Sequence, residues 1–548
     1  MLPRFLLAAT ALAGAATAQL TLAVTHPVEN LPTPAKIALG KILFWEEQMS
    51  SDDSVACGTC HLPEFGGSDG RVDPRLHPGP DGVFGTVDDI HGSPGVVRQA
   101  NNGDFTPVAG FALRRQVTGR STPTHLGAAL ATDLFWDGRA TTQFVDPETG
   151  LVVIPFLGAL ESQAVAPILN PVEMGHEGRT WQDVRQKLQG VEPLALATAI
   201  PPDMQAALQQ NPTYPLLFTA AFGDPSITAA RIAMALATYE RTQVPDDTPW
   251  DRFMNGQTTA MTASEQAGWA LFSGNGRCNA CHWDPVFSDD QFHSLGLRPA
   301  SEDPGLSAFT NLPSDRGAFK TPTLRLAGLR PRLFHNGQSA ALDDPSQITD
   351  PASTLNIYLN GGGVDPSNLD PFLLPLNTLG VTTADMVLMQ DFVRTALTDQ
   401  RAAQRLPPFD HPNLRSMVVA PPRLFGQGLG GAFEPYLVDS VPSYPGNFAF
   451  KLGLAAGDGA GLAMLTYGFT PIVPGAMAFG LPWNLNVHDY LLFSLQGQTG
   501  EPGHATWRLP LPNDPTLQLI PFYFQLFALD AQAPGSIAAS RGSEFFVR

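Results

Sequence analysis

Apolar and polar positions alternate with two different periods along this chain. In the first four hundred residues the clearest signals are helical. Thr262-Ala-Ser-Glu265 is a capping box opening a helix that runs towards Cys278. Thr382-Thr-Ala-Asp385 opens a second apolar-periodic segment that ends near Thr398. Asp224 before Pro225 predicts an N-cap with Pro at the first helical position, continued by Ile227 to Glu240. Pro78 to Gly119 is rich in Gly and Asp and reads as a long surface loop. Beyond Arg405, Pro, Gly and Phe punctuate the sequence to about Pro445. The period then changes to two: Phe448, Phe450, Leu452 and Leu454, and later Trp507, Leu509 and Leu511, follow the alternation of half-buried strands. Phe522 to Leu529 is a further apolar run of β-forming residues.

An internal repeat organises the helical part. Leu39-Gly40-x-x-Leu43-Phe44 matches Ala267-Gly268-x-x-Leu271-Phe272. Thr122-Pro123-Thr124 matches Thr321-Pro322-Thr323, and Phe135-Trp136-Asp137-Gly138 matches Phe334-His335-Asn336-Gly337. Thr to Phe spans thirteen residues in both copies, 122 to 135 and 321 to 334.

Each copy also carries one Cys-x-x-Cys-His pentapeptide, Cys57-Gly-Thr-Cys60-His61 and Cys278-Asn-Ala-Cys281-His282, and these use all four cysteines. The motif attaches c-type haem: two thiols form thioethers and the following His supplies a nitrogen to iron. A zinc site would need four converging ligands and would not require a His after each pair. A redox dithiol would follow a strand in a βαβ pattern, which neither motif does. The expected fold class is mainly α, two c-type cytochrome domains in tandem, followed by a C-terminal all-β sandwich module. The expected boundaries are a leader at 1–18, haem domains at 19–215 and 216–405, a linker at 406–444 and the β-module at 445–548.

Met1-Leu-Pro-Arg4, the apolar run Phe5 to Ala15 and Ala16-Thr17-Ala18 before Gln19 read as a secretory signal peptide. Export, most simply to the periplasm, agrees with covalent haem. No stretch of the sequence has the apolar length of a membrane span. The net charge of −19 argues against nucleic acid and anionic membrane as partners.

In combination, Leu39-Gly-Lys-Ile-Leu-Phe44, the two haem motifs, Phe135-Trp-Asp-Gly-Arg-Ala140, Asn170-Pro-Val-Glu-Met174, Lys320-Thr-Pro-Thr-Leu-Arg325 and Phe334-His-Asn-Gly337 are highly specific. Over about residues 30 to 400 the chain resembles the bacterial dihaem cytochrome c peroxidase family, with the related dihaem enzymes that mature methylamine dehydrogenase. The resemblance implies an enzyme acting on hydrogen peroxide, with two covalent haem c groups and iron ligands His61 and His282. Glu173 matches the distal acid of the first haem. Trp136 matches the tryptophan between the haems, and His335 a histidine near the domain interface, where it organises hydrogen bonds or calcium-site geometry or serves structure alone. At the second haem the typical peroxidases place a Met and the maturation enzymes a Tyr; here Tyr358 is the candidate ligand. His77, with His91 as its rival, is the candidate resting ligand of the first iron. A calcium between the domains would lose its Asn ligand to Ser121 and keep backbone oxygens around Arg330 and Arg332. The net reaction expected is reduction of peroxide to water by a small c-type cytochrome or cupredoxin. Two alternatives stand beside it: peroxide-dependent oxidation of a partner protein's side chains, and a non-catalytic electron carrier. A homodimer is common among such proteins.

Overall fold

Close helix crossings set both haem-motif regions. Helix α1 (Pro34–Phe44) crosses α2 (Ala229–Glu240) at Gly40, where a Cβ would stand 1.9 Å from the Ala235 carbonyl oxygen. Helix α3 (Ala263–Ser273) crosses α4 (Thr383–Asp391) at Gly268, 2.0 Å from the Leu388 carbonyl by the same measure. The repeated glycine therefore marks backbone contact between the first and last helix of each unit. This computed structural model describes residues 22–71, 76–342, 348–418, 423–431, 433–439, 441–478, 480–499 and 501–547. The signal peptide expected at 1–18 lies outside the described residues.

Both expected capping boxes form, Thr262 with Glu265 and Thr382 with Asp385. The expected N-cap at Asp224 does not. Helix α2 is capped by Thr228, whose hydroxyl accepts from the Arg231 amide at 3.2 Å. Asp224 instead closes a local turn by accepting from the Ser226 amide and pairs with Arg231.

The first core joins Leu39, Leu43 and Phe44 to Phe218, Ile232, Leu236 and Tyr239. The domain boundary expected at 215/216 therefore falls inside this core. Helix α2, which lies beyond that position, packs on α1 within the same core. The second core gathers Trp250, Phe272, Phe287, Met389 and Phe392. The repeated aromatic turns share a backbone form: Phe135 and Phe334 have φ of 65° and 72°, Gly138 and Gly337 of 71° and 67°.

Two expectations about loops change. Within 78–119, strand Pro94–Val97 pairs with Arg115–Val117, and Val97, Phe105 and Leu113 are each 1% exposed. Apolar residues spaced among Gly and Asp had hidden a buried segment. The linker expected at 406–444 is also structured. Leu414 enters the first core, and His411 stacks on Trp45 at 4.0 Å. Its strands Arg423–Phe425 and Tyr436–Val438 join the C-terminal sheets.

Those sheets are antiparallel. One orders Tyr436–Val438, Lys451–Asp458 and Pro502–Arg508. The other runs Asp489–Leu495, Gly461–Gly468, Pro521–Leu529, Gly542–Phe546, Arg423–Phe425. Leu452, Leu454, Leu465, Phe524 and Leu526 share one core between them. Of the expected alternating positions Phe450, Leu452 and Leu454 are buried and Phe448 is exposed in the turn before, and strand Lys451–Asp458 is buried on both faces rather than one.

Two haem-attachment cavities and the wall between them

Each pentapeptide His is already oriented as a metal ligand. His61 Nδ1 donates to the Gly67 carbonyl at 3.1 Å, and His282 Nδ1 donates to the Phe287 carbonyl at 2.9 Å. Committing Nδ1 to a carbonyl leaves Nε2 as the metal-facing nitrogen and fixes the ring plane. The loops that offer those carbonyls are pinned alike by the repeated threonines. Thr124 Oγ1 donates to the Gly66 carbonyl at 2.7 Å, and Thr323 Oγ1 to the Val286 carbonyl at 2.5 Å.

Two cavities follow. The first is lined by Cys57, Cys60, His61, Trp136, Arg139 and Glu173, the second by Cys278, Cys281, His282, Trp136, His335 and Tyr358. The four cysteines are unpaired, and burial pushes the thiols of Cys57, Cys60 and Cys278 up. Two thiols and one bare imidazole nitrogen beside an apolar cavity fit covalent haem in both copies.

Trp136 belongs to both cavity walls. Its Nε1 donates to the Ser121 carbonyl at 2.8 Å, and its own carbonyl accepts from the Lys320 amide at 2.8 Å. His335 follows it edge-on at 6.5 Å and stacks on Phe319 at 3.5 Å. Burial pushes His335 down to about 3, so this ring is neutral. Trp136 is the ring shared by both cavities, while His335 and Phe319 line the second.

Glu173 sits in the Asn170–Met174 turn, with Asn170 Nδ2 donating to its Oε1 at 3.3 Å. Burial raises its carboxyl above the usual range, and the positive Arg139 partly opposes the shift. Gly95 packs against this turn so closely that a Cβ would lie 1.9 Å from the Val172 carbonyl. Tyr358 lies on helix Thr354–Asn360, and burial raises its phenol as well. Met386 and Met389 line the same cavity from α4, so two thioethers also stand near the second haem site.

His77 and His91 line neither cavity; their amides bond to the Ile90 and Asn336 carbonyls. At the expected calcium position, the Ser121 carbonyl accepts from Trp136, and neighbouring Arg120 holds both Asp137 and Asp303. Among the described residues, one cluster of three ligand-type side chains exists, Cys281, Asp289 and His293, and it includes an attachment thiol. With a thiol and an imidazole among its three donors, this cluster is not an all-oxygen calcium site.

Glu240 escaped the sequence reading. It ends α2, lines the first cavity, and its Oε2 has no hydrogen-bond partner. Counting from the two helix crossings, Ala235 matches Leu388 and Glu240 matches Val393, so the second copy has an apolar residue where the first has this carboxyl. Burial raises this carboxyl from 4.5 to about 8, against a lowering by Arg241, with Glu161 adding to the rise. Between those values the native state keeps a proton that the unfolded chain has lost. Stability therefore falls as pH rises from about 4.5 to 8 and levels off above. That interval caps the effect at about 5 kcal/mol. Glu240→Gln is expected to flatten this loss in denaturant melts of the haem-loaded protein between pH 5 and pH 9; an unchanged slope would contradict the assignment.

Residues 34–259 match the family model for di-haem cytochrome c peroxidase. The chain is 32% identical over 347 residues to "Methylamine utilization protein MauG" of Methylorubrum extorquens, covering 63% of this chain and 74% of that protein. It is 28% identical over 396 residues to "Cytochrome-c peroxidase IdrP1" of Denitromonas iodatirespirans, covering 66% and 82%. A crystal structure of a MauG-like protein associated with microbial copper homeostasis aligns with a TM-score of 0.48 at 20% identity, covering 72% of this chain and 99% of that one. With its two haem sites and these relatives, the chain belongs to the di-haem cytochrome c peroxidase family, oxidoreductases that act on peroxide.

Proposed function

We propose that the protein is an exported dihaem peroxidase that reduces hydrogen peroxide to water with electrons from a small c-type cytochrome or cupredoxin. The observation that carries this reading is a buried carboxyl, Glu173, in the cavity that also holds Cys57, Cys60 and His61. Each turnover consumes two electrons and two protons, breaks the O–O bond and releases two waters. Bound haem supplies the iron that takes peroxide and the store for the oxidising equivalents. The chain's own work is proton handling and electron routing. Glu173, whose carboxyl burial pushes up, holds a proton for the departing oxygen more readily than an exposed carboxyl would, and Arg139 makes its ionised form tolerable afterwards. Trp136, fixed by Ser121, offers an aromatic path from one cavity to the other, with His335 beside it.

The leader expected from the sequence at 1–18 supports the reading of export. Among the described residues no helix is long and apolar enough to cross a membrane. The C-terminal sheets read as a sandwich, an accessory to the haem units. A second reading, peroxide-dependent oxidation of a partner protein, is favoured by Tyr358 in the second cavity, because an oxygen ligand there would hold oxidising equivalents more readily than it would take electrons from a donor.

Stopped-flow absorption tests both. The oxidised dihaem protein is mixed with stoichiometric peroxide and then with reduced cytochrome c. Oxidation of the cytochrome over many turnovers supports the peroxidase. A long-lived oxidised species that leaves the cytochrome reduced supports the protein-oxidising reading. No response to peroxide in either redox state would leave an electron carrier.

A further inference from the structure

Segment 94–105 has two different neighbours. On one side it forms the wall behind the Glu173 turn. The Val96 amide donates to the Val172 carbonyl at 3.0 Å, and the Glu177 amide donates to the Gln99 carbonyl at 2.9 Å. Arg98 pairs with Glu177, and Gln116 Nε2 donates to the Pro171 carbonyl at 2.8 Å. On the other side the segment belongs to the C-terminal sheets. Val97, Phe105 and Leu113 sit in the same core as Leu452, Leu454 and Phe524. Lys451, itself 6% exposed, donates to Gln99 Oε1 at 2.8 Å and to the Gly103 carbonyl, and lies over the Phe105 ring at 4.7 Å. Arg508 holds the Asn102 carbonyl and Asp104, and the Phe105 amide donates to Thr506 Oγ1 at 2.9 Å.

We propose that the C-terminal β region is a positioning clamp for the distal wall of the first haem cavity, acting through segment 94–105 on the turn that carries Glu173. The proposal rests on the proton-donor reading of Glu173. Gln99 is the joint, since its side chain takes Lys451 and its backbone takes Glu177. A β-module tethered only as a docking platform would not need three haem-domain side chains in its core. A free surface loop would not need a buried lysine to hold it. Phe105 and Lys451 are positioning residues, remote from the peroxide site, and their effect reaches the chemistry only through where Glu173 is held.

Lys451→Met keeps an apolar side chain at this position and removes the charge over Phe105 with the two hydrogen bonds; Phe105→Ala removes the anchor itself but risks the fold of the β region. Hydrogen exchange in haem-loaded Lys451→Met is expected to quicken at least tenfold at the Val96 and Glu177 amides, with the strands of 451–529 unchanged. Its peroxide rate is expected to fall about tenfold, with the pH midpoint assigned to Glu173 displaced, and Lys451→Arg is expected to restore both. In a Glu173→Gln background the same substitution should cost nothing further. Equal losses with and without Glu173, or unchanged exchange at both amides, would overturn the clamp. Full activity of Glu173→Gln alone would instead sink the proton-donor reading, while the exchange result would still decide whether the β region holds the segment.

Discussion

Glu173→Gln should lower the rate of peroxide consumption by about 10²–10⁴-fold, the range typical for loss of a positioned general acid. The substitution keeps the shape of the Asn170–Met174 turn, which is fixed by backbone bonds from the Glu173, Met174 and Gly175 amides to the Asn170 carbonyl. It also keeps a side-chain oxygen for Asn170 Nδ2. What disappears is the exchangeable proton. Covalent haem content and the unfolding midpoint should therefore stay as in the parent, and peroxide should still bind, slowly producing water. The pH profile separates this from a general disturbance. Because burial raises the carboxyl, the parent should lose rate as pH climbs through the raised value and the acid form is depleted. Glu173→Gln should be flat across that interval. A variant within threefold of the parent at every pH would remove Glu173 from the mechanism.

The two attachment motifs could be read from the sequence alone because a five-residue covalent motif needs no tertiary context. The crossing glycines were visible as repeat signatures, although their cause, a carbonyl about 2 Å from where a Cβ would stand, appears only in the packed helices. Three features stayed hidden. Asp224 before Pro225 looked like a cap, but the chain stays extended to Thr228 and the helix begins there. Segment 78–119 has the composition of a loop, and only a distant sheet tells that Phe105 is core. Glu240 entered the sequence analysis only as the last residue of a helix; that helix ends against the first cavity. In each case local composition was overruled by a partner far away in sequence, which is where single-sequence reasoning has least purchase.

Tyr358→Met should raise the reduction potential of the second haem by roughly 100 mV or more, since axial ligands move haem potentials over a span of ~0.8 V and a thioether favours the reduced iron. The phenol is raised by burial, so the cavity by itself favours its neutral form, and only a cationic partner would hold it ionised there. A thioether carries no such cost and no charge. Oxidation of reduced cytochrome c should therefore become faster in the variant, because the second site would accept electrons that the tyrosine-bearing site declines. Magnetic circular dichroism of the oxidised protein should lose its tyrosinate signature and gain one for sulfur. Met386 and Met389, in the same cavity, give the opposing expectation. If either already supplies the ligand, the parent protein carries the sulfur signature and Tyr358→Met changes neither spectrum nor potential. Spectra of the parent and of Tyr358→Phe decide between these. Loss of a ligand band on removing only the hydroxyl assigns the bond to Tyr358, and an unchanged spectrum assigns it to the methionines of α4.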